Sequence, residues 1–365
     1  MKHAKLALMV VMCLLAGCST TSKTTTQKTV RAYNGTASVG DFLTISIDSS
    51  TLMITYKNYT NGETGTVPYV VNSDGTYTIT DPNGNLLSAY EVPGTALMVE
   101  AANAGTLQNT KALITAVESA PASINTFAGG NFNYIQFRTS TGGIEIGTVS
   151  VDSSGNITHG GYWPFGVISQ GNMFNSGYFP ASSVTEDASG NFFVINENDG
   201  SQDTVFGTQN GLFAVDTGAG AILSQPKASS KSFVASNAGT YKAVYYEKSN
   251  AQMGQNNAES GTPAEGQATV TVGSGGTVTI TDSNNTQMAS GTLQAIADTS
   301  YIYDGTQNTL SDPLYGMFTF RTSGSVQQDV FVTFESGAII FSSFQTAMPL
   351  QQNAPYTYFY GVGMK

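Results

Sequence analysis

The sequence predicts an all-β protein built from three tandem antiparallel β-meander modules, each a small barrel or a sandwich. Three observations lead there. From Tyr33 onward, short runs of Val, Ile, Thr, Tyr and Phe are separated by Gly, Asn, Asp and Ser, which is how strands and tight turns are written. Strict polar–apolar alternation runs through 76–80, 277–281 and 329–334, so each of these strands should bury one face and wet the other. One segment also returns: 71–83 is identical to 272–284 at nine of thirteen positions, with a weaker third copy at 151–158.

Upstream of each copy lies a strand with an aromatic residue two places after a glycine, starting at Gly40, Gly130 and Gly239. Between these landmarks another strand opens at Gly65, Gly147 and Gly266, followed by a turn glycine, Gly75, Gly155 or Gly276. The same order three times is the signature of a repeated unit. Joints rich in Pro, Ser and Ala at 121–127 and 226–233 divide the chain into modules 32–122, 123–228 and 229–365. Modules of this kind should survive as fragments when cut near Pro121 and Pro226. The competing architecture is a β-propeller, since turn glycines at 155, 190, 239, 276 and 324 recur near the length of a four-stranded blade. Two short stretches, 110–119 and 293–298, read as helical. The aromatic ending 356–360 reads as the final strand of the last module, or as a carbohydrate-stacking strip or an interface.

Ahead of the modules, Lys2 and Lys5 precede an apolar run from Leu6 to Gly17 that ends in Leu15, Ala16, Gly17 and Cys18. A charged start, a short apolar run and small residues before a cut describe a secretory signal. A cysteine directly after Leu-Ala-Gly resembles the lipobox of bacterial lipoproteins. The resemblance covers residues 1–18 and implies cleavage between Gly17 and Cys18, a diacylglycerol on the Cys18 thiol, and acylation, as by palmitate, of the new amino group. Such a protein is held on a membrane by its acyl chains, and the run is shorter than the roughly 18 to 20 residues that cross a bilayer. Ser19, where this class carries Asp for inner-membrane retention, implies the outer membrane, on its periplasmic or its surface side. Residues 18–31, rich in Thr, Ser and Lys, form a solvated tether.

The chain carries 14 Lys and Arg against 25 Asp and Glu, a net charge of −11, and loss of Lys2 and Lys5 with the signal makes it more acidic. Nucleic acid is therefore not an expected partner, because binding it needs clustered cations. The two cysteines, Cys13 and Cys18, are consumed by the signal and the lipid, which leaves no disulfide.

Chemistry-bearing residues are sparse. After the signal the sole histidine is His159, close to Tyr162 and the sole tryptophan, Trp163. These three form a candidate ligand-facing patch. His159 precedes two glycines, as in the oxyanion segment of some esterases, but no Gly-x-Ser-x-Gly elbow accompanies it. One histidine and no free thiol leave a transition metal few ligands. Calcium is a weaker possibility at 81–85, 187–191 or 196–203, where Asp, Asn and Glu cluster, although such residues also serve tight turns. With no cofactor implied and no catalytic motif, the sequence points to a non-catalytic envelope lipoprotein with a binding or structural, scaffold-like role toward a protein or glycan. The alternatives are a lipocalin-like carrier of one small apolar ligand and a glycan-binding or glycan-hydrolysing surface lipoprotein. Surplus small residues facing inward would mark a carrier, and bulky ones a filled core.

Overall fold

The structure, a computed structural model, describes residues 29–37, 41–73, 75–93, 96–102, 111–119, 123–138, 143–165, 175–176, 182–188, 192–197, 200–207, 212–216, 221–228, 232–253, 259–296, 300–303, 306–309, 315–323, 328–335, 337–344 and 356–365. The first module is β1 (Val30–Ala37), β2 (Phe42–Asp48), β3 (Met53–Asn58), β4 (Thr64–Val71), β5 (Tyr77–Thr80), β6 (Leu86–Val92), β7 (Ala96–Ala102) and β8 (Lys111–Glu118). Each strand pairs antiparallel with the next, and β8 returns to pair with β1, so the sheet is a closed up-and-down barrel. Closure leaves no free strand edge. Because Tyr33 stands opposite Ile45, Ile45 opposite Tyr56 and Tyr56 opposite Gly65, one alternate set of residues faces inward right round the wall.

The second module comprises β9 (Asn131–Arg138), β10 (Gly143–Val151), β11 (Ile157–Phe165), β12 (Asn175–Ser176), β13 (Ser183–Glu186), β14 (Phe193–Asn196), β15 (Gln202–Gly207), β16 (Phe213–Asp216) and β17 (Ala221–Pro226). Its first and last strands, β9 and β17, pair. The far edges meet where Asn156 bridges Ser183 and the Val184 amide donates to the Gly155 carbonyl at 2.7 Å.

The third module comprises β18 (Gly239–Met253), β19 (Glu259–Val272), β20 (Thr277–Asp282), β21 (Gln287–Thr292), β22 (Gln294–Ala295), β23 (Ser300–Tyr303), β24 (Thr306–Thr309), β25 (Met317–Arg321), β26 (Asp329–Glu335), β27 (Ala338–Phe344) and β28 (Tyr356–Met364). Here β18 pairs with β28, and β22, prolonging β21, pairs with β25. Strands β23 and β24 form a separate hairpin.

The fold is therefore all-β, in three barrel-like meanders. The propeller alternative is overturned, since the first and last strands of each module pair with each other instead of forming blades. The helical expectations also fail: 111–118 is strand β8, and β22 lies within 293–298. In β8, Ile114 and Ala116 face the barrel interior while Val117 is buried on the outer side. With both faces apolar, the two-residue period vanishes from the sequence. Strand β26 departs from its expected wet face for the same reason, with Val330 to Phe334 all buried.

A larger core explains those outer faces. Phe42, Met98 and Val117 of the first barrel, Ile135, Phe137, Phe206 and Leu223 of the second, and Tyr246, Phe331, Tyr358, Tyr360 and Val362 of the third belong to one buried cluster. The aromatic ending is the closing strand of the last module, with Tyr358 and Tyr360 turned into this shared core.

The repeat is visible in atoms. Gly75, Gly155 and Gly276 have φ of +87°, +88° and +80°, which a side chain tolerates poorly. Each donates its amide to the carbonyl three residues earlier, on Asn72, Asp152 and Gly273. The strand glycines have a second use. Gly65, Gly147 and Gly266 stand directly across from Tyr56, Tyr134 and Tyr245, and each tyrosine ring lies where a Cβ on its glycine would be, within 2.4 to 2.8 Å. The first module differs from the other two in one respect. Its β2 does not pair with the Gly65 strand, because β3 stands between them, whereas the Gly147 and Gly266 strands pair directly with β9 and β18.

Candidate functional site

The first barrel has two unlike ends. At one, Arg31 on β1 meets Glu91 on β6, with Nε to Oε1 at 2.5 Å and Nη2 to Oε2 at 2.7 Å. The Tyr33 and Tyr77 hydroxyls donate to the two oxygens of the same carboxylate. All four side chains are buried. Hydrogen bonding to Glu91 raises the Arg31 pKa above its ordinary value, and burial together with Glu91 raises that of Tyr77. A buried charge held by four donors closes this end of the barrel at little net cost.

The opposite end is open. Between the strands lies a cavity of about 440 Å³, walled by Leu43, Ile45, Ile54, Val67, Ile79 and Val99, among others, and rimmed by Asp41, Tyr56, Asn58, Glu63 and Asp81. Ligand pockets commonly span about 300 to 1,000 Å³. Small residues make the room: beyond Tyr33, toward the open end, the inward positions on β1 are Gly35 and Ala37, and a Cβ on Gly35 would strike Ala116 at 2.6 Å. Asn58 donates to Asp41 at 2.9 Å and the Tyr56 hydroxyl to Glu63 at 2.9 Å. Burial and then Glu63 push the Tyr56 phenol up to about 12, so it remains a donor near neutrality. Asp81 is held by its own turn, its Oδ1 accepting from the amides of Asn83 at 2.9 Å and Asn85 at 2.7 Å.

Among the described residues, the other two barrels are packed with aromatic side chains. Phe127, from the joint before β9, packs on Phe132, Phe193 and Phe213 inside the second barrel. Phe233, from the joint before β18, packs on Phe318 and Phe334 in the third. A single 3₁₀ turn lies beside each phenylalanine, Ile124–Thr126 just before Phe127 and Ala235–Asn237 just after Phe233. A second concavity of about 640 Å³ runs outside the first barrel, between Thr44, Ser46, Lys57 and Tyr59 and the second module's Asp187 and Phe192.

The residues expected from sequence lie elsewhere. Gly17 and Cys18 lie outside the described residues. His159, Tyr162 and Trp163 are on β11 of the second barrel, opposite Ser150, Gly147 and Ile146, and their side chains lie outside the described ones. Of the calcium candidates, 81–85 is a turn whose aspartate is occupied by chain amides, and Asp152 and Asp282 repeat that arrangement. The other two segments run into 189–191 and 198–199, outside the described residues. Among the described residues no three His, Cys, Asp or Glu side chains are placed to hold a metal ion together. The rim residues Asp41, Tyr56, Asn58 and Glu63 were not singled out by sequence reasoning, and the available signal was the run of small inward residues at Gly35, Ala37 and Gly65.

No protein-family profile matches the chain, and no curated protein does. Among solved structures, it resembles the vaccine antigen Transferrin Binding Protein B from Haemophilus parasuis, at 7% identity and a TM-score of 0.25, over 93% of this chain and 76% of that one. Intact Ap-TbpB, with N and C lobes, gives 8% identity and 0.25, over 93% and 77%. The DNA polymerase III β subunit from Pseudomonas aeruginosa gives 9% and 0.14, over 99% and 98%. At this level of likeness, what the chain does has to be read from its own residues.

Proposed function

We propose that this protein is a lipid-anchored envelope protein that binds one small, mainly apolar ligand in its first barrel, without catalysing a reaction on it. One contrast among the described residues carries the reading: in the second and third barrels Phe127 and Phe233 pack onto the aromatic interior, while the first holds an apolar cavity of about 440 Å³. A barrel closed at one end and open at the other is a calyx, and apolar walls reward an apolar guest at about 25 cal/mol per Å² buried. The lipobox at Leu15 to Cys18 supports an outer-membrane address, where the tether would present the barrels to passing ligand. The acidic rim groups serve binding in this reading, since Glu63 is engaged by Tyr56 and Asp81 by its turn.

A scaffold that contacts a protein is the second reading, favoured by Val70 and Leu86, which are 61% and 69% exposed on the outer wall of the first barrel. Native mass spectrometry of residues 19–365, made without the anchor cysteine, separates the two. A reproducible excess mass, lost on Val67→Trp, supports the calyx. A bare mass that persists after incubation with envelope lipid extract supports the scaffold.

A further inference from the structure

We infer that the calyx takes an organic cation, an amphiphile with an ammonium head at the rim and an apolar body inside. This rests on the reading of the first barrel as a binding calyx. The mouth carries Asp41, Glu63 and Asp81, and no Lys, Arg or His lines the cavity. None of the three carboxylates has a basic partner among the described residues. Asp41 is only 8% exposed, and its side chain is met by the Asn58 amide alone. Glu63 is met by a phenol and Asp81 by amides. These contacts satisfy hydrogen bonds without neutralising charge.

Three carboxylates around an apolar well attract a positive head and repel a negative one, the more strongly because apolar walls on one side weaken solvent screening. Tyr56 adds an aromatic ring at the same rim, a favourable neighbour for a quaternary ammonium. The nearest described lysine in sequence, Lys57, is turned away, its Nζ lying over the Tyr59 ring at 4.1 Å. A fatty acid would present its carboxylate to this rim, so the same chain length with the opposite head charge should be refused.

The test is calorimetric titration of residues 19–365 with dodecyltrimethylammonium, dodecanol and dodecanoate, each below its micelle concentration. The expected order is cation, then alcohol, then anion, with the cation at least tenfold tighter than the anion. Glu63→Gln, at an exposed position, should shrink that ratio several-fold, chiefly by weakening the cation. Val67→Trp should abolish binding of all three. Equal or tighter binding of dodecanoate overturns the inference and leaves the calyx standing. Cation binding that survives Val67→Trp places it outside the barrel and overturns the inference as well. Failure of all three ligands overturns the calyx reading itself.

Discussion

Arg31 and Glu91, 60 residues apart in sequence, form a two-pronged ion pair inside the first barrel, at 2.5 and 2.7 Å. Removing one partner strands the other charge away from water. Arg31→Ala or Glu91→Ala should therefore cost about 3–5 kcal/mol, read as a shifted urea midpoint. The double replacement Arg31→Met with Glu91→Leu should recover only part of that loss, because apolar groups need no counter-charge while the Tyr33 and Tyr77 hydroxyls lose their acceptor.

Gly147→Ala places a methyl 2.4 Å from the Tyr134 ring. Overpacking of this kind costs about 1–3 kcal/mol. Adding Tyr134→Leu should relieve part of it, so the double mutant will be more stable than the sum of its parts predicts. Thermal unfolding of the two single variants and the double variant measures the coupling.

Phe127→Ala should destabilise the protein by about 3–5 kcal/mol, as expected when a buried ring is emptied, and should open an apolar void in the second barrel. Phe233→Ala, at a half-buried position, should do the same in the third at a smaller cost. Native mass spectrometry of these variants with dodecyltrimethylammonium should then show a second bound molecule, where the unaltered chain holds one.

The pH dependence has a sign at each extreme. Burial pushes Tyr241 and Tyr245 up to about 12, and burial with Glu63 does so for Tyr56. A raised folded pKa means stability that is whole below the unfolded tyrosine value near 10 and is lost as pH climbs toward 12. Ultraviolet tyrosine titration should show these phenols ionising late, together with unfolding. Asp152 is held below the usual carboxylate range by the Asn156 side chain and turn amides, and Asp48 by Ser50. Their contribution is present above about pH 4 and fades as pH falls through the lowered value. Asp152→Asn should flatten that acid limb of the stability curve.

Cutting the chain near Pro121 or Pro226 should yield poorly folded, aggregating fragments, contrary to what a string of modules suggests. A lone second barrel would expose Ile135, Phe137, Phe206 and Leu223, all buried in the shared core. Limited proteolysis followed by size-exclusion chromatography checks this.

Much of the fold was legible because turns are local. Gly75, Gly155 and Gly276 announce the hairpins wherever they occur, and the alternation of 76–80 and 277–281 survives because one face of β5 and of β20 is wet. Strand β8 was hidden, because Val117 packs outward against other barrels as firmly as Ile114 packs inward, and an eight-residue stretch apolar on both faces has no period. The calyx was hidden for a different reason. Asp41, Glu63 and Asp81 lie on separate turns, and only the closure of β1 onto β8 gathers them around one mouth.

The shared core also dictates a timetable. Phe42 near the start of the chain is buried with Val362 near its end, and β28, the last strand, completes the third barrel against β18. On the proposed lipoprotein reading, a chain exported unfolded, amino end first, would not finish its earliest barrel's outer wall until the final residues arrive. For the length of such a passage Phe42, Met98 and Val117 would stay uncovered, so the proposed export would call for a holding chaperone and would tie the completion of the first barrel to the arrival of the last strand.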